Sequence, residues 1–376
     1  MRVSLVRGGA VCSEEAAAFQ AGSLAWSAIM TARRLHVRSG SAASADASRP
    51  SIYDVAERAG VSHMTVSRVL NHHPNIREST RRRVTDAIAE LNYAPSSIAR
   101  ALVRRRSLRI GAIVDNPGQY GPSSTLRAVE AAARENGYAV SALSLEGRTA
   151  GIREGILDLV TEGVDALCVI APRESSLQAV RQHAAALPTL VVKEEADALL
   201  HTVSVDQRAG ARLAVGHLIE LGHRRILHLA GPPDWFDARA RTAAWRDALE
   251  DAGLDAPDPV VGDWSSESGY LVGRALRLDG ATAVFAANDQ MALGLLHALA
   301  ERGIRVPDDV SVVGFDDVPD ARHYTPPLTT VRQDFTALGR LVIRELLTAI
   351  DGGQPGHREL IRPELVVRAS TSAVLG

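Results

Sequence analysis

The sequence predicts two folds in one chain: a small all-α unit near the N-terminus, then an α/β body of two doubly wound parallel-sheet subdomains. Three observations point there. Between residues 50 and 94, three short stretches repeat apolar residues at helical spacing. Beyond residue 108, six short β-branched runs alternate with helix-patterned segments, the order that parallel sheets require. The charge also divides there. Residues 1–49 carry six arginines against three acids and residues 50–107 carry ten against five, leaving −10 for the rest of a chain whose net charge is −2. A basic front joined to an acidic body suits a polyanionic partner for the front.

At 376 residues, 46% of them apolar, the chain can bury two or three full cores. It has no run of about 18 apolar residues, which argues against a membrane partner. Cys12 and Cys168 lie far apart and match no zinc or redox spacing. Cys168 sits in the apolar run ALCVIAP and reads as a small core residue, in keeping with a reducing cytoplasm. Residues 1–49 lack the charged, apolar and small-residue order of a signal peptide. We read them as a disordered extension or an artefact of start-site choice, with Met30 an alternative start.

The α unit builds up in order. Ser51 and Asp54 form a capping pattern that opens a helix over SIYDVAERAG, with Ile52, Val55, Ala56 and Ala59 inward and Gly60 at its end. Ser62 caps a second helix over VSHMTVSRVL. A third, from Ser79 to Asn92, repeats Val84, Ala87, Ile88 and Leu91 at i, i+3, i+4 and i+7. Two short helices joined tightly, with a third completing the core, make a helix-turn-helix unit over residues 50–94. Val66, Val69 and Leu70 then anchor the second helix and leave His63, Met64, Ser67 and Arg68 outward near its start, where a major groove would lie. Arg68 suits a bidentate pair with guanine, His63 a base-edge hydrogen bond, and Met64 packing on a thymine methyl. Ser62 and Thr65 suit phosphate oxygens. An ordinary solvated helix face would present the same residues.

Four further stretches narrow the reading: IYDVAERAGVS, TVSRVLN, LNYAPSSIARAL and RSLRIGAIV. They resemble the DNA-binding headpiece and hinge of the lactose/purine repressor family of bacterial transcriptional regulators. The resemblance continues to the C-terminus, covering all but the first 49 residues. It implies that residues 95–107 are a hinge in which Ser96 to Val103 form a helix entering the minor groove with Ile98, Ala99 and Leu102. Leu102 falls where the family wedges a leucine between base pairs. Arg104 and Arg105, with Arg106, would then lie against phosphates. Paired hinges imply a homodimer on an approximately palindromic double-stranded operator. His63 and Met64 depart from the best-known relatives, at positions that vary with operator sequence.

In the body, the six runs are LRIGAIV, ALCVIAP, TLVVKE, RILHLAG, ATAVFAAND and SVVGFDD. Between them lie helical segments such as TLRAVEAAARENGY, where Leu126, Val129 and Ala133 share a face, and AGARLAVGHLIELGH, with Leu213, Leu218 and Leu221. Two groups of three runs predict two similar subdomains. The first takes in about 108–206 plus 336–363, the second 207–330 plus 364–376, with a crossing at LTTVRQDF. The resemblance implies that this is a periplasmic-binding-protein-like core for effector binding and dimerisation.

Ligands of such folds sit at the carboxyl ends of the strands. The polar residues there are Asp115, Asn116, Lys193, Asn288, Asp289, Asp316 and Asp317, with Arg239, Arg241 and Trp264 from neighbouring segments. Each has an ordinary reading as a cap, a turn or a core residue. Through the resemblance, Arg241, Asn288 and Asp316 match positions that hydrogen-bond effector hydroxyls, and Trp264 one that stacks on a sugar ring. YGPSS and GDWS fit the lactose-repressor branch and a sugar or glycoside effector. Lys193 stands where that branch has an acidic contact, which leaves a different or charged sugar open, as well as a purine or other non-sugar corepressor.

No G-x-S-x-G, H-E-x-x-H, Walker loop or C-x-x-C occurs, and the histidines show no metal spacing beyond His72–His73. The expectation is a cytoplasmic, nucleoid-associated repressor of carbohydrate genes: not an enzyme, without cofactor or metal, dimeric, and switched by a small effector.

Overall fold

The structure, a computed structural model, describes residues 50–70, 73–93, 106–145, 151–170, 173–183, 187–354 and 358–374. It divides into two compact units, Met1–Pro95 and Ser96–Gly376.

In the first unit, α1 (Ile52–Ala59) opens with the reciprocal cap that the sequence predicts. The Ser51 amide donates to Asp54 Oδ2 at 2.6 Å, and the Asp54 amide donates back to Ser51 Oγ at 3.4 Å. Gly60 ends the helix at φ +63°, a left-handed conformation that costs an L side chain free energy. Next come α2 (His63–Leu70) and α3 (Glu78–Glu90). Val55, Ala56 and Ala59 of α1, Val66 and Val69 of α2, and Val84 and Ala87 of α3 form one small core. Ile52, Leu70, Ile88 and Leu91 pack against it half-buried. Arg58 on α1 reaches Glu90 at the end of α3 at 2.5 Å. Seven small side chains are a thin core, so this unit is held by close packing and caps more than by bulk.

The second unit holds two six-stranded sheets. The first lobe contains β1 (Arg109–Asp115), α4 (Tyr120–Glu135), β2 (Ala139–Leu145), α5 (Gly151–Thr161), β3 (Ala166–Ile170), α6 (Glu174–His183), β4 (Thr189–Val192) and β5 (His201–Val205). The chain then builds the second lobe. It contains α7 (Gln207–Glu220), β6 (Ile226–Ala230), α8 (Phe236–Asp251), β7 (Val260–Val261), α9 (Ser266–Ala275), β8 (Ala283–Ala286), α10 (Asp289–Glu301), β9 (Ser311–Asp316) and β10 (Thr329–Arg332). After β10 the chain returns for α11 (Phe335–Ile350) and β11 (Arg358–Ile361), and ends on the second sheet with β12 (Glu364–Val366). The sheet orders are β11-β5-β4-β3-β1-β2 and β12-β10-β9-β8-β6-β7. All pairings are parallel except β10 with β12. Both sheets therefore end on the same side of their lobes, and their strand ends face the three crossings.

Helices cover both faces of each sheet. On the first, Leu338, Leu341, Val342 and Leu346 of α11 pack with Ile110, Val114 and Cys168. On the opposite face lie Ile152, Ile156 and Leu177, joined by Phe236 from the start of α8. Phe236 thus plugs the second lobe into the core of the first. On the second sheet, Trp245, Leu218, Phe285 and Phe315 are fully buried together.

Two expectations change. The six runs are only half of the strands: β2, β5, β7, β10, β11 and β12 are polar-interleaved, short, or at a sheet edge, so they lack a continuous apolar run. Leu213 does not share the buried face of α7 with Leu218; it is 41% exposed, because Ala211, Ala214 and Val215 carry that contact. Among the described residues, no helix is long and apolar enough to cross a membrane.

Candidate functional site

The first unit presents one polar face. His63 and Arg68 on α2 are exposed, Met64 is 55% exposed, and Ser67 and Thr65 are half-buried. An exposed thioether of that size on a short helix is not there for the core, which Val66 and Val69 already fill. Ser62 is exposed, with its hydroxyl 3.0 Å from that of Thr65 and its Oγ accepting from the Thr65 amide at 3.3 Å. Tyr53 of α1, 65% exposed, sets its ring 5.2 Å from that of His63 and so extends the face. Sequence reasoning passed over Tyr53; an aromatic residue on the outer side of an otherwise well-formed apolar stripe was the available signal. Ile98, Ala99, Leu102, Arg104 and Arg105 lie outside the described residues. Arg106, expected with them against phosphates, instead donates to Asp351 at 2.8 Å and to the Ile350 carbonyl at 3.0 Å. Those acceptors close the C-terminus of α11, where a cation is favoured.

In the second unit, the carboxyl ends of the strands converge on a cleft between the lobes. It encloses about 610 Å3 of empty space, the open mouth included. Arg241, Trp264, Asn288 and Asp316 line it, and so do Tyr120, Trp235, Asp237, Gln207, Gln333 and Phe335.

A closed polar ring forms its floor. Arg241 Nε donates to Gln207 Oε1 at 2.9 Å, Gln207 Nε2 to Gln333 Oε1 at 2.9 Å, and Gln333 Nε2 to Asp316 Oδ1 at 2.6 Å. Arg241 Nη2 closes the ring 3.7 Å from Asp316 Oδ1. The same guanidinium donates to the Ala287 carbonyl and lies 3.7 Å over the Phe315 ring. Gln207 and Gln333 sit at two of the points where the chain crosses between lobes, so this ring spans the hinge.

Trp264 is placed by its neighbours. Its backbone has φ +76°, uncommon for a bulky residue, and Asn288 Nδ2 holds the Trp264 carbonyl at 3.0 Å. Asn288 Oδ1 meanwhile accepts from the Met291 amide at 2.9 Å as the cap of α10. Asn288 is therefore a helix cap that also lines the cavity. At Gly231, which follows β6, a Cβ would lie 2.2 Å from the indole, so only glycine admits Trp264 here. Trp235 meets Trp264 edge-on at 5.8 Å.

Burial raises the Asp316 carboxyl to about 6, against the lowering pull of Arg241 and Gln333, with Asp237 adding to the rise. Burial also raises Asp237, opposed by Arg241. Asp289 lies beneath the cavity lining rather than in it. Burial lifts it well above the usual range, while it accepts from Thr330 Oγ1 at 2.6 Å and the Val318 amide at 2.8 Å.

Three of the proposed ligand residues are not among those lining this cavity. Asp115 is buried and faces Arg173 Nε at 3.2 Å. Asn116 turns the chain after β1 at φ +51°, its amide donating to the Leu145 carbonyl at 2.9 Å. Lys193 is buried with its ammonium 3.0 Å from Asp197 and 4.7 Å above the Phe236 ring. Asp197 four residues on gives the lysine a partner within its own loop. Arg239, another candidate, reaches Glu174 and Glu195 at 3.1 Å each and so ties the lobes together. Gln207, Gln333 and Asp237 were missed: Gln207 and Gln333 follow β5 and β10, which lie outside the six apolar runs, and Asp237 stands in the first turn of α8.

Residues 51–96 match the family described as bacterial regulatory proteins, lacI family, and residues 215–371 match the periplasmic binding protein-like domain. The chain is 36% identical to the lactose operon repressor of Escherichia coli (strain K12) over 327 residues, covering 86% of this chain and 91% of that one. It is 34% identical to the HTH-type transcriptional repressor PurR of Haemophilus influenzae (strain PittEE) over 334 residues, 86% of this chain and 99% of that one. A crystal structure of the lac repressor dimer bound to operator and the anti-inducer ONPF superposes with a TM-score of 0.80 at 34% identity, covering 87% of this chain and all of that one. A small helical unit with an exposed polar recognition face, two parallel-sheet lobes around a polar and aromatic cleft, and this likeness over nearly the whole of its relatives place the chain in the lacI family of bacterial regulatory proteins, as a DNA-binding transcriptional repressor.

Proposed function

We propose that the chain binds an approximately palindromic operator as a homodimer in the cytoplasm, and that a small sugar or glycoside in the cleft switches this binding. His63, Met64, Ser67 and Arg68 read base edges in each half-site, while Ser62 and Thr65, with Arg104 and Arg105, meet phosphates. Ile98, Ala99 and Leu102 enter the central minor groove. The relative whose structure is a dimer on operator supports the assembly.

The observation that carries the sugar reading is the cavity itself. A floor of carboxylate, guanidinium and amides lies under the indoles of Trp264 and Trp235. Polyols need such convergent acceptors and donors, and the apolar face of a sugar ring packs on an aromatic plane. Arg241, Asn288 and Asp316 are the effector contacts in this reading. The ring that joins Gln207 to Gln333 offers a route for coupling, because a ligand held by Asp316 and Arg241 engages both crossings at once. Such coupling is typically worth about 1–3 kcal/mol per site.

The test is operator affinity measured while galactosides, other hexoses and purines are titrated. A change of severalfold or more with a sugar supports this reading. A response confined to purines replaces it with a purine corepressor, the class suggested by the name of the second relative.

A further inference from the structure

The cavity is short of positive charge. Asp237 and Asp316 both line it, and among the described residues its one cationic side chain is Arg241. That guanidinium is already committed to Gln207, to the Ala287 carbonyl and to Asp316. Three of the four amide side chains are committed too: Gln207 to Gln333, Gln333 to Asp316, and Asn288 to the Trp264 carbonyl and to Gln290 Oε1; the fourth, Gln119, adds a neutral donor but no charge. Lys193, the only lysine in the chain, is held by Asp197 and does not line the cavity.

Asp237 is different. It stands in the first turn of α8, and no hydrogen bond or ion pair to it is found among the described residues. Tyr120, Trp235, Trp264 and Phe335 line the same cavity. A carboxylate with no hydrogen bond, its burial opposed only by an Arg241 already engaged elsewhere, is costly to keep charged in the empty protein. A ligand that brings donors and a positive charge removes that cost, and the ring faces attract the same charge. A neutral sugar would supply donors but leave the charge uncompensated, and an acidic sugar would add a third negative group.

We propose that Asp237 is a specificity-determining residue that receives a ligand ammonium, so that the effector is an amine-bearing sugar. This rests on the sugar reading above and deepens it. The ammonium donates to the Asp237 oxygens, while ring hydroxyls meet Asp316 and the Arg241 side of the floor.

The experiment is calorimetric titration of the full chain at pH 7. The probes are glucosamine, galactosamine, 3-amino-3-deoxyglucose and 6-amino-6-deoxyglucose, with glucose, galactose and the N-acetyl derivatives alongside. We expect at least one amino sugar to bind tenfold or more tightly than its neutral parent, and N-acetylation to abolish the advantage. In Asp237→Asn the ratio of amine to parent should fall to about one, and Asp237→Ser provides the same comparison should the first variant not fold. Parents that bind as tightly as every amine, or a preference that survives in both variants, would overturn the assignment to Asp237 and leave the sugar reading standing. Failure of every sugar, charged and neutral, would remove the sugar reading and this proposal with it. The preference in the unaltered chain needs no variant, so a misfolded substitution cannot obscure the result.

Discussion

Arg68 stands exposed on a helix whose buried side is complete without it, so its removal should cost recognition rather than folding. Arg68→Ala is expected to lose about 1–3 kcal/mol of discrimination at one base pair per half-site. Competition assays with single-base operator variants measure this, and an equal loss on every sequence would make Arg68 a phosphate contact instead. Asp316→Ala should abolish the effector response while operator binding persists; a retained response in a ligand-titrated mobility shift would move the contact elsewhere in the cavity. Glu194 gives a prediction about pH. Burial, with Asp237 and Asp206 adding to the rise, lifts it to about 7 from an ordinary 4.5, despite the Arg208 amide and Arg358. Between those two values the folded chain holds a proton that the unfolded chain has released. This contribution therefore favours the fold at the acid end and is lost as pH rises through 7. Glu194→Gln should flatten that slope, gaining on the order of 2–3 kcal/mol at pH 8. Melting temperatures of both forms from pH 5 to 8 check it, and parallel curves would contradict the buried-carboxylate assignment.

At the level of elements, what was legible depended on whether one strong periodicity decided the structure. The capping box of α1 and the stripe on α3 could be read directly, because caps and 3.6-residue spacing are local. The central strands could be read because burial on both faces demands an unbroken apolar run, as in ALCVI. HTVSV and TTVR could not, since polar residues interrupt both: in TTVR the Thr330 hydroxyl donates to the distant Asp289 and the Thr329 amide to Ser370 Oγ, and in HTVSV the buried Thr202 hydroxyl finds no hydrogen-bond partner among the described residues. The candidate site followed the same rule. Asn288 and Asp316 lie at strand ends, with Trp264 in the loop after β7, whereas Gln207 and Gln333 acquire meaning only once the crossings bring them together, and Asp237 sits one turn before Arg241 on α8. Lys193 looked like a ligand from its strand-end position, and Asp197 on the following loop gave it a structural partner. The thin core of the first unit makes a further prediction. Val66→Ala, at a fully buried position, should cost about 2 kcal/mol, enough to populate the unfolded headpiece and weaken operator binding without altering the cleft. Headpiece melting followed by circular dichroism, beside effector titration of the same variant, separates the two effects; an unchanged melt would contradict the packing.

Across the whole molecule, the second unit has the parts of a two-state switch. Phe236 is inserted in the core of the opposite lobe, and Arg239 reaches Glu174 and Glu195 while Arg173 reaches Asp234 at 3.0 Å. These links are partly solvated, so each is worth about 1 kcal/mol or less. Arg239→Ala should accordingly change effector affinity only severalfold, measured by calorimetry; no change at all would mean that the pair does not bias the lobes. The central claim is that this chain selects particular DNA sequences and that a guest in the cleft alters the selection. It is tested most directly by incubating the purified full chain with fragmented genomic DNA at modest ionic strength, in excess random competitor, and sequencing what is retained. The expected result is a small set of fragments sharing an approximately palindromic site, held on the order of 10³-fold or more above random sequence and shifted in occupancy by the effector. Retention that follows only fragment length and salt would contradict it.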